Sequence, residues 1–198
     1  MSIHRFLAGL QAAATAMLLL STHAFAQGRT VYSLETDPST FAFNGYALHL
    51  RIAPAASRHW VLGAGVYALD LPNAMVDLDA ANRGQGWKVR LDHGLGLFAE
   101  YFFDPARKGW LVGTQLAVQQ YRVTNSNSPG SSARFTNTLL MVHAGYRWYP
   151  GENRRWYVQP WMGVGYSNKI SGQTTVGTRT YDVAPLMLFA TVHIGYTF

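Results

Sequence analysis

Between residues 87 and 103 the side chains alternate in a strict period of two. Trp87, Val89, Leu91, His93, Leu95, Leu97, Ala99, Tyr101 and Phe103 hold the odd positions, while Lys88, Arg90, Asp92, Gly94, Gly96 and Glu100 are among the even ones. A helix, with its 3.6-residue turn, would mix the two sets; a strand sends them to opposite faces. The stretch exceeds the ~10 residues with which a tilted strand crosses a bilayer. The design recurs three times. Residues 41–53 set Tyr46, Leu48, Leu50 and Ile52 against His49 and Arg51, and residues 134–149 set Leu140, Val142, Ala144, Tyr146 and Trp148 against Asn137, His143, Gly145 and Arg147. At the C-terminus Leu186, Leu188, Ala190, Val192, Ile194, Tyr196 and Phe198 oppose Thr191, His193, Gly195 and Thr197. A chain patterned this way is all-β.

The four stretches end at Ala53, Phe103, Tyr149 and Phe198, spaced by 50, 46 and 49 residues, which marks a repeated hairpin. Short polar turns follow the first three, at 54–59, 104–109 and 150–155, and the chain resumes at Trp60, Trp110 and Trp156. Aromatic residues thus bracket the short turns, as they do at the edge of a membrane-spanning apolar band. The other connections, 71–86, 124–133 and 170–178, are longer and rich in Asn, Ser, Gly, Asp and Thr. Strands over 41–53, 60–70, 87–103, 110–123, 134–149, 156–168 and 179–198 number seven, whereas a ring with both ends on one side needs an even count. Residues 29–36, with Tyr32 and Leu34 opposite Ser33 and Glu35 and a turn at 37–40, supply the eighth. The expected fold is a closed antiparallel eight-stranded transmembrane β-barrel over residues 27–198.

Residues 1–26 read differently. One cation, Arg5, precedes a short apolar core at 6–20, and Ala24-Phe25-Ala26 offers small residues at a cleavage site, the pattern of a secretory signal peptide. The chain has no cysteine, which removes disulfides, thiolate metal sites and cysteine nucleophiles together. Charged residues make up 13% of the chain, against ~25% in an ordinary soluble domain. Its net charge of +6 is dispersed rather than gathered with aromatics on one face, so no nucleic-acid partner is expected. Gly63-Ala64-Gly65-Val66-Tyr67-Ala68 and Gly94-Leu95-Gly96-Leu97-Phe98-Ala99 match a dinucleotide fingerprint in letters, but that motif needs a strand-turn-helix context and both lie within alternating strands. No nucleophile elbow, zinc-protease helix or phosphate loop occurs, and no cofactor or metal is implied.

With this leader, the strand alternation and a last strand ending Ile194-Gly195-Tyr196-Thr197-Phe198, the chain resembles the small Gram-negative outer-membrane barrels of the OmpA/OmpX type. The resemblance covers residues 27–198 and rests on architecture. It implies export to the bacterial outer membrane, a monomer surrounded by outer-membrane lipid and lipopolysaccharide, and delivery by periplasmic chaperones to the barrel-assembly machinery. In that family a terminal aromatic forms part of the assembly signal, which Tyr196 and Phe198 match.

An eight-stranded barrel is just wide enough inside for side chains, so porin-like conduction is not expected. The alternation aims His49, Arg51, Lys88, Arg90, Asp92, Glu100, His143, Arg147 and His193 inward, together with Glu35, Tyr67, Gln115, Gln119, Tyr121, Gln159 and Trp161. Buried charges need partners, and a lumen network of ion pairs is the expectation. His49, Arg51, Glu100, His143, Arg147 and His193 lie within six residues of a short-turn strand end, where Glu100 is expected to carry most of the neutralisation. Gly63, Gly65, Gly94, Gly96, Gly163 and Gly165 leave room for Tyr67, Phe98 and Trp161. Pro160 and Pro185 fall within expected strands, and proline cannot donate to a ladder; they mark a bulge or a weakened seam between the seventh and eighth strands. The leading functional expectation is a non-enzymatic integral outer-membrane protein whose loops, chiefly 71–86, serve surface interaction or envelope integrity. Its rival is a lipid A-modifying enzyme, transferring or removing an acyl chain, with His49 or His143 at work and a sideways lipid entry near Pro160 and Pro185. Small barrels of the family include such enzymes, but their catalytic motifs are not visible here.

Overall fold

In a computed structural model, which describes residues 29–198, eight antiparallel strands pair edge to edge in a ring. The expected signal peptide lies outside the described residues. The strands are β1 (Val31–Thr36), β2 (Tyr46–Ala53), β3 (Trp60–Asp70), β4 (Trp87–Phe102), β5 (Gly109–Asn125), β6 (Ser132–Arg147), β7 (Trp156–Gly172) and, after a small hairpin of β8 (Thr175–Val176) with β9 (Arg179–Thr180), β10 (Leu186–Thr197). Consecutive strands of the ring are neighbours, and β10 returns to pair with β1. Alternation decides which side chains go where: Leu48 and Leu50 stand exposed on β2 while Ala47, His49 and Arg51 are buried. The aromatic residues at the short turns form a repeated pair. Trp60 lies opposite Tyr101, Trp110 opposite Tyr146 and Trp156 opposite Tyr196, each edge to face with ring centres 5.0–5.3 Å apart. Such a contact contributes about 0.5–1.5 kcal/mol beyond area burial.

Four expectations about the strands need correction. The alternation in β4 is not continuous, because the register with β5 shifts between Leu91 and His93. One extra residue in a strand exchanges its two faces. Trp87, Val89 and Leu91 therefore point inward into an apolar cluster, and Lys88 and Arg90 point out. Asp92, at the bulge, accepts two hydrogen bonds from Arg122 Nη2 at 2.8 Å and lies 3.5 Å from Arg90 and 3.8 Å from Arg134. Lys88, Arg90 and Asp92 thus leave the expected lumen network for the outer face.

The second correction concerns residues 41–45, which are not strand. Asp37 Oδ1 accepts the Ser39 N–H at 2.9 Å, and this Asx-type turn leads into a helical turn over Ser39–Ala42. Third, Arg179–Thr180 belongs to the small hairpin, so the last long strand begins only at Leu186. Pro185 precedes that strand, its carbonyl accepting from Ser167 N at 2.7 Å.

Fourth, the seam between β7 and β10 is unbroken from Leu186↔Tyr166 to Tyr196↔Trp156, with Pro160 opposite Val192. The donor that Pro160 lacks falls on the β6 side, where the ladder skips from Gly145↔Trp161 to Trp148↔Val158. No sideways entry exists between the seventh and eighth strands, β7 and β10.

At the long-loop end the ring is plugged. Val76, Val176 and Tyr181 from two loops pack on Trp87, Tyr121 and Phe135. Asn82, 1% exposed, ties the loops together by donating to Asp182 O at 2.7 Å and accepting from Asp182 N at 3.0 Å. Tyr181 hydrogen-bonds Val76 O at 3.3 Å; burial in this cap, with Asp77, Asp79 and Asp182 nearby, pushes its phenol up to about 12. Loop 71–86, the chief loop of the surface-interaction expectation, contributes Val76 and Asn82 to this plug while other residues of it stay exposed.

Candidate functional site: the polar layer and the cavity above it

From the short-turn end upward, the interior begins with an apolar floor of Ala53, Val61, Phe102 and Leu111. Above it lies a charged layer to which β1, β2, β4, β6, β7 and β10 each contribute. Inward alternation brings His49 and Arg51 from β2, Glu100 from β4, His143 and Arg147 from β6 and His193 from β10 to one level, as expected, and all six are buried. Its centre, however, is Glu35. Oε1 of Glu35 accepts from Arg51 Nε at 3.1 Å and Nη2 at 2.8 Å, with His193 Nδ1 at 2.7 Å and His49 Nδ1 at 3.3 Å; Oε2 accepts the Tyr157 hydroxyl at 3.0 Å. Glu100 has fewer partners: Gln159 Nε2 donates to its Oε1 at 3.0 Å, His143 Nε2 lies 3.4 Å away, and Arg51 and Arg147 each come within 3.6 Å. Neutralisation is therefore shared between two carboxylates, and Glu35 takes the larger part.

Arg147 is held between rings, its guanidinium carbon 4.1 Å from the Tyr157 centroid and 4.6 Å from that of Phe102, with Nε donating to Gln159 at 2.7 Å. Arg51 lies 4.3 Å over Phe98. Two guanidiniums thus face two carboxylates, an arrangement neutral in sum when the imidazoles are uncharged. Close backbone approach makes the layer possible. A Cβ at Gly65 would fall on the His49 ring, one at Gly195 on Tyr157, and one at Gly163 on His143; the glycines at 163 and 165 serve His143, Leu139 and Phe189 rather than Trp161.

Chemically, the layer is a structural clasp. Trp161 Nε1 donates to His193 Nε2 at 3.0 Å, which places the His193 proton on Nδ1, against Glu35, and occupies the nitrogen a general base would use. The Ser39 hydroxyl is likewise occupied, donating to Asp37 at 2.7 Å. Glu35, His49 and His193 bring three potential ligand atoms within 4.8 Å of one another. Arg51 already sits on the same carboxylate oxygen, and a permanent cation there repels a metal ion. His49, Glu100, His143 and His193 do not form one cluster, for His49 and His193 turn to Glu35 while His143 turns to Glu100.

Above this layer lies a cavity of about 330 Å³, near the lower end of the ~300–1,000 Å³ of ligand pockets. Its walls include Phe98, Leu139, Met141, Trp161 and Phe189, with His49 and His193 at the charged layer. Tyr67, Gln115 and Gln119 also face it, and satisfy one another: both amides donate to the Tyr67 hydroxyl at 3.0 Å. Compared with family models, curated proteins and solved structures, the chain gives no match.

Proposed function

We propose that the protein is an integral outer-membrane β-barrel of the small eight-stranded kind, inserted as a monomer and closed to ions. The observation that carries this reading is the belt of large apolar side chains exposed on the outside of every long strand, among them Leu50, Val66, Leu97, Leu116, Val142 and Val164. In water such a continuous surface is an aggregation hazard; against lipid it is the solvated surface, while pairing around the ring satisfies the strand backbone everywhere but along the upper part of the β1–β10 seam. The Trp–Tyr pairs at the short turns mark one interface and the polar loops the opposite side. Export, lipopolysaccharide as surrounding lipid, periplasmic chaperones and the assembly machinery follow from the same reading. With its plug and its clasp, the barrel serves the envelope as a sealed structural element rather than a pore.

Leu97→Arg tests the placement. In refolding to lipid vesicles it should cost about 2–4 kcal/mol, whereas Tyr101→Arg, at the edge of the belt, should cost only about 0–1 kcal/mol more than Tyr101→Ala, which already loses the Trp60 ring contact. Equal small effects would mean that the belt does not face hydrocarbon. In planar bilayers the protein should give no conductance steps, and steady unitary currents would overturn the closed interior. A second variant separates assembly from stability. Phe198 is exposed and touches Tyr196 at a 5.3 Å ring separation, so Phe198→Ala should lower the amount of heat-modifiable barrel in cells while leaving the urea midpoint of refolded protein nearly unchanged. A midpoint loss in proportion to the cellular loss would assign Phe198 to packing instead.

A further inference from the structure

The ring has one uneven seam. β10 meets β1 only from Ile194 to Thr197, opposite Thr36 to Ser33, although its other edge is paired with β7 along its whole length from Leu186 to Tyr196. Among the described residues, Leu186 to His193 have no strand partner on the β1 side, because β1 ends at Thr36 and the chain turns away into the helical turn Ser39–Ala42. Side chains of Thr191 and His193 reach across the gap to Asp37, His193 Nε2 at 4.0 Å. Thr191 Oγ1 donates to the Asp37 carboxylate at 2.9 Å and lies 3.0 Å from Ser39 Oγ.

The cavity above the charged layer reaches this seam. It is lined by inward residues such as Met141 and Phe189, and also by Leu188 and Ala190, which belong to the outward face of the same strand. A space that touches both faces of β10 must pass around its free edge. It therefore opens sideways, between β10 and the 37–45 segment, onto a surface where Leu188 is 70% and Phe41 61% exposed. The interior wall is chemically quiet. Among the described residues, five buried side-chain atoms lack hydrogen-bond partners, on Arg51, Glu100, Asn137, His143 and Arg147, and none of these residues lines the cavity. A guest gains nothing by bringing a polar group. An apolar cavity of this kind takes apolar occupants, and its volume has room for roughly ten groups the size of a water molecule.

We infer that the cavity is a binding site for one acyl chain of a lipid in the surrounding leaflet, which enters through the gap between β1 and β10 and ends above the Glu35 layer. This rests on the membrane-spanning reading, since only there does the mouth face lipid. The occupant is chain-like because the way in is a slot beside one strand, and apolar because most of the lining is, while the polar side chains at the mouth, Asp37, Ser39 and Thr191, bond to one another and those of the wall to Tyr67. The lipid headgroup stays outside.

The test is photolabelling in phosphatidylcholine vesicles doped with a phospholipid carrying a diazirine near the end of one acyl chain, with adducts located by peptide mass spectrometry. The expected result is labelling of Leu139, Met141 or Phe98 inside, beside labelling of the outer belt at Leu97 and Val142. Ala190→Trp, which fills the mouth from the lipid side, should abolish the interior adducts and leave the belt adducts unchanged; those belt adducts report that the variant is inserted. Belt adducts without interior adducts in the unaltered protein would overturn the inference and leave the membrane-spanning reading intact. No belt adducts would overturn that reading itself. Interior adducts from a soluble diazirine fatty acid but none from the phospholipid would overturn the choice of a leaflet lipid as occupant.

Discussion

Glu35→Gln should be among the most damaging single substitutions in the chain, lowering the unfolding free energy of vesicle-reconstituted protein by about 3–5 kcal/mol. Gln preserves the shape and one acceptor, so the loss isolates charge. Arg51 then keeps only Glu100, at 3.6 Å, and Arg147 must share it. The layer carries an uncompensated cation in a place that is nearly inaccessible to water. Glu100→Gln should be milder, because Glu100 has one short hydrogen bond, from Gln159, and its Oε2 has no hydrogen-bond partner. An exposed control is Asp104→Asn, whose carboxylate faces Lys108 at 3.8 Å in a turn and should cost at most about 1 kcal/mol. Equilibrium urea unfolding compares the three. If Glu35→Gln behaves like Asp104→Asn, the layer is hydrated and the clasp contributes little.

That ranking reverses what the sequence suggests, and the reason is physical. Period-two alternation reports faces reliably where a strand is long and regular, which is why His49, Arg51, Glu100, His143, Arg147 and His193 could be aimed inward from letters alone. It says nothing of a single inserted residue. Arg90-Leu91-Asp92-His93 contains neither glycine nor proline to announce a bulge, yet the shift there reverses Lys88 and Arg90 and turns Trp87, Val89 and Leu91 into core. Glu35 was legible as inward, since it alternates with Leu34. Its weight was not, because the heights of short β1 and its neighbours depend on register: Glu35 sits directly across from His49. Tyr157 follows Trp156, and adjacent aromatics at a strand start both look interfacial; only parity with Gln159 could have separated them. The plug and the gap beside β10 depend on where β1 stops and which loop folds back, and those are decided by tertiary packing of Val76, Asn82 and Tyr181, beyond the reach of local pattern.

The larger test of the clasp is a double-mutant cycle on Glu100 and Arg147. Glu100 Oε2 and Arg147 Nη2 lie 3.6 Å apart, and neither atom has a hydrogen-bond partner. Glu100→Gln leaves two guanidiniums facing Glu35 alone, and Arg147→Met leaves two carboxylates facing Arg51 alone; breaking one side of such a buried set is expected to cost about 3–5 kcal/mol at most. The double variant removes one charge of each sign and restores neutrality through the Glu35–Arg51 pair, which is bonded at 2.8 Å. Met in place of Arg147 keeps a long apolar stem between Phe102 and Tyr157, so packing losses stay small. The double variant should therefore be more stable than the sum of the singles implies, with a coupling of about 2–3 kcal/mol. Gln159 is the built-in check, since it accepts from Arg147 Nε and donates to Glu100 Oε1. In the double variant a methionine in place of Arg147 offers no donor, so Gln159 Oε1 loses its partner and only the bond to residue 100 remains, now to a neutral acceptor; Gln159→Leu should therefore be harmful in the parent protein and nearly neutral in the double variant. Simple additivity in the cycle would mean that the two charges do not sense each other across the layer, and that water or the Gln159 amide alone screens them.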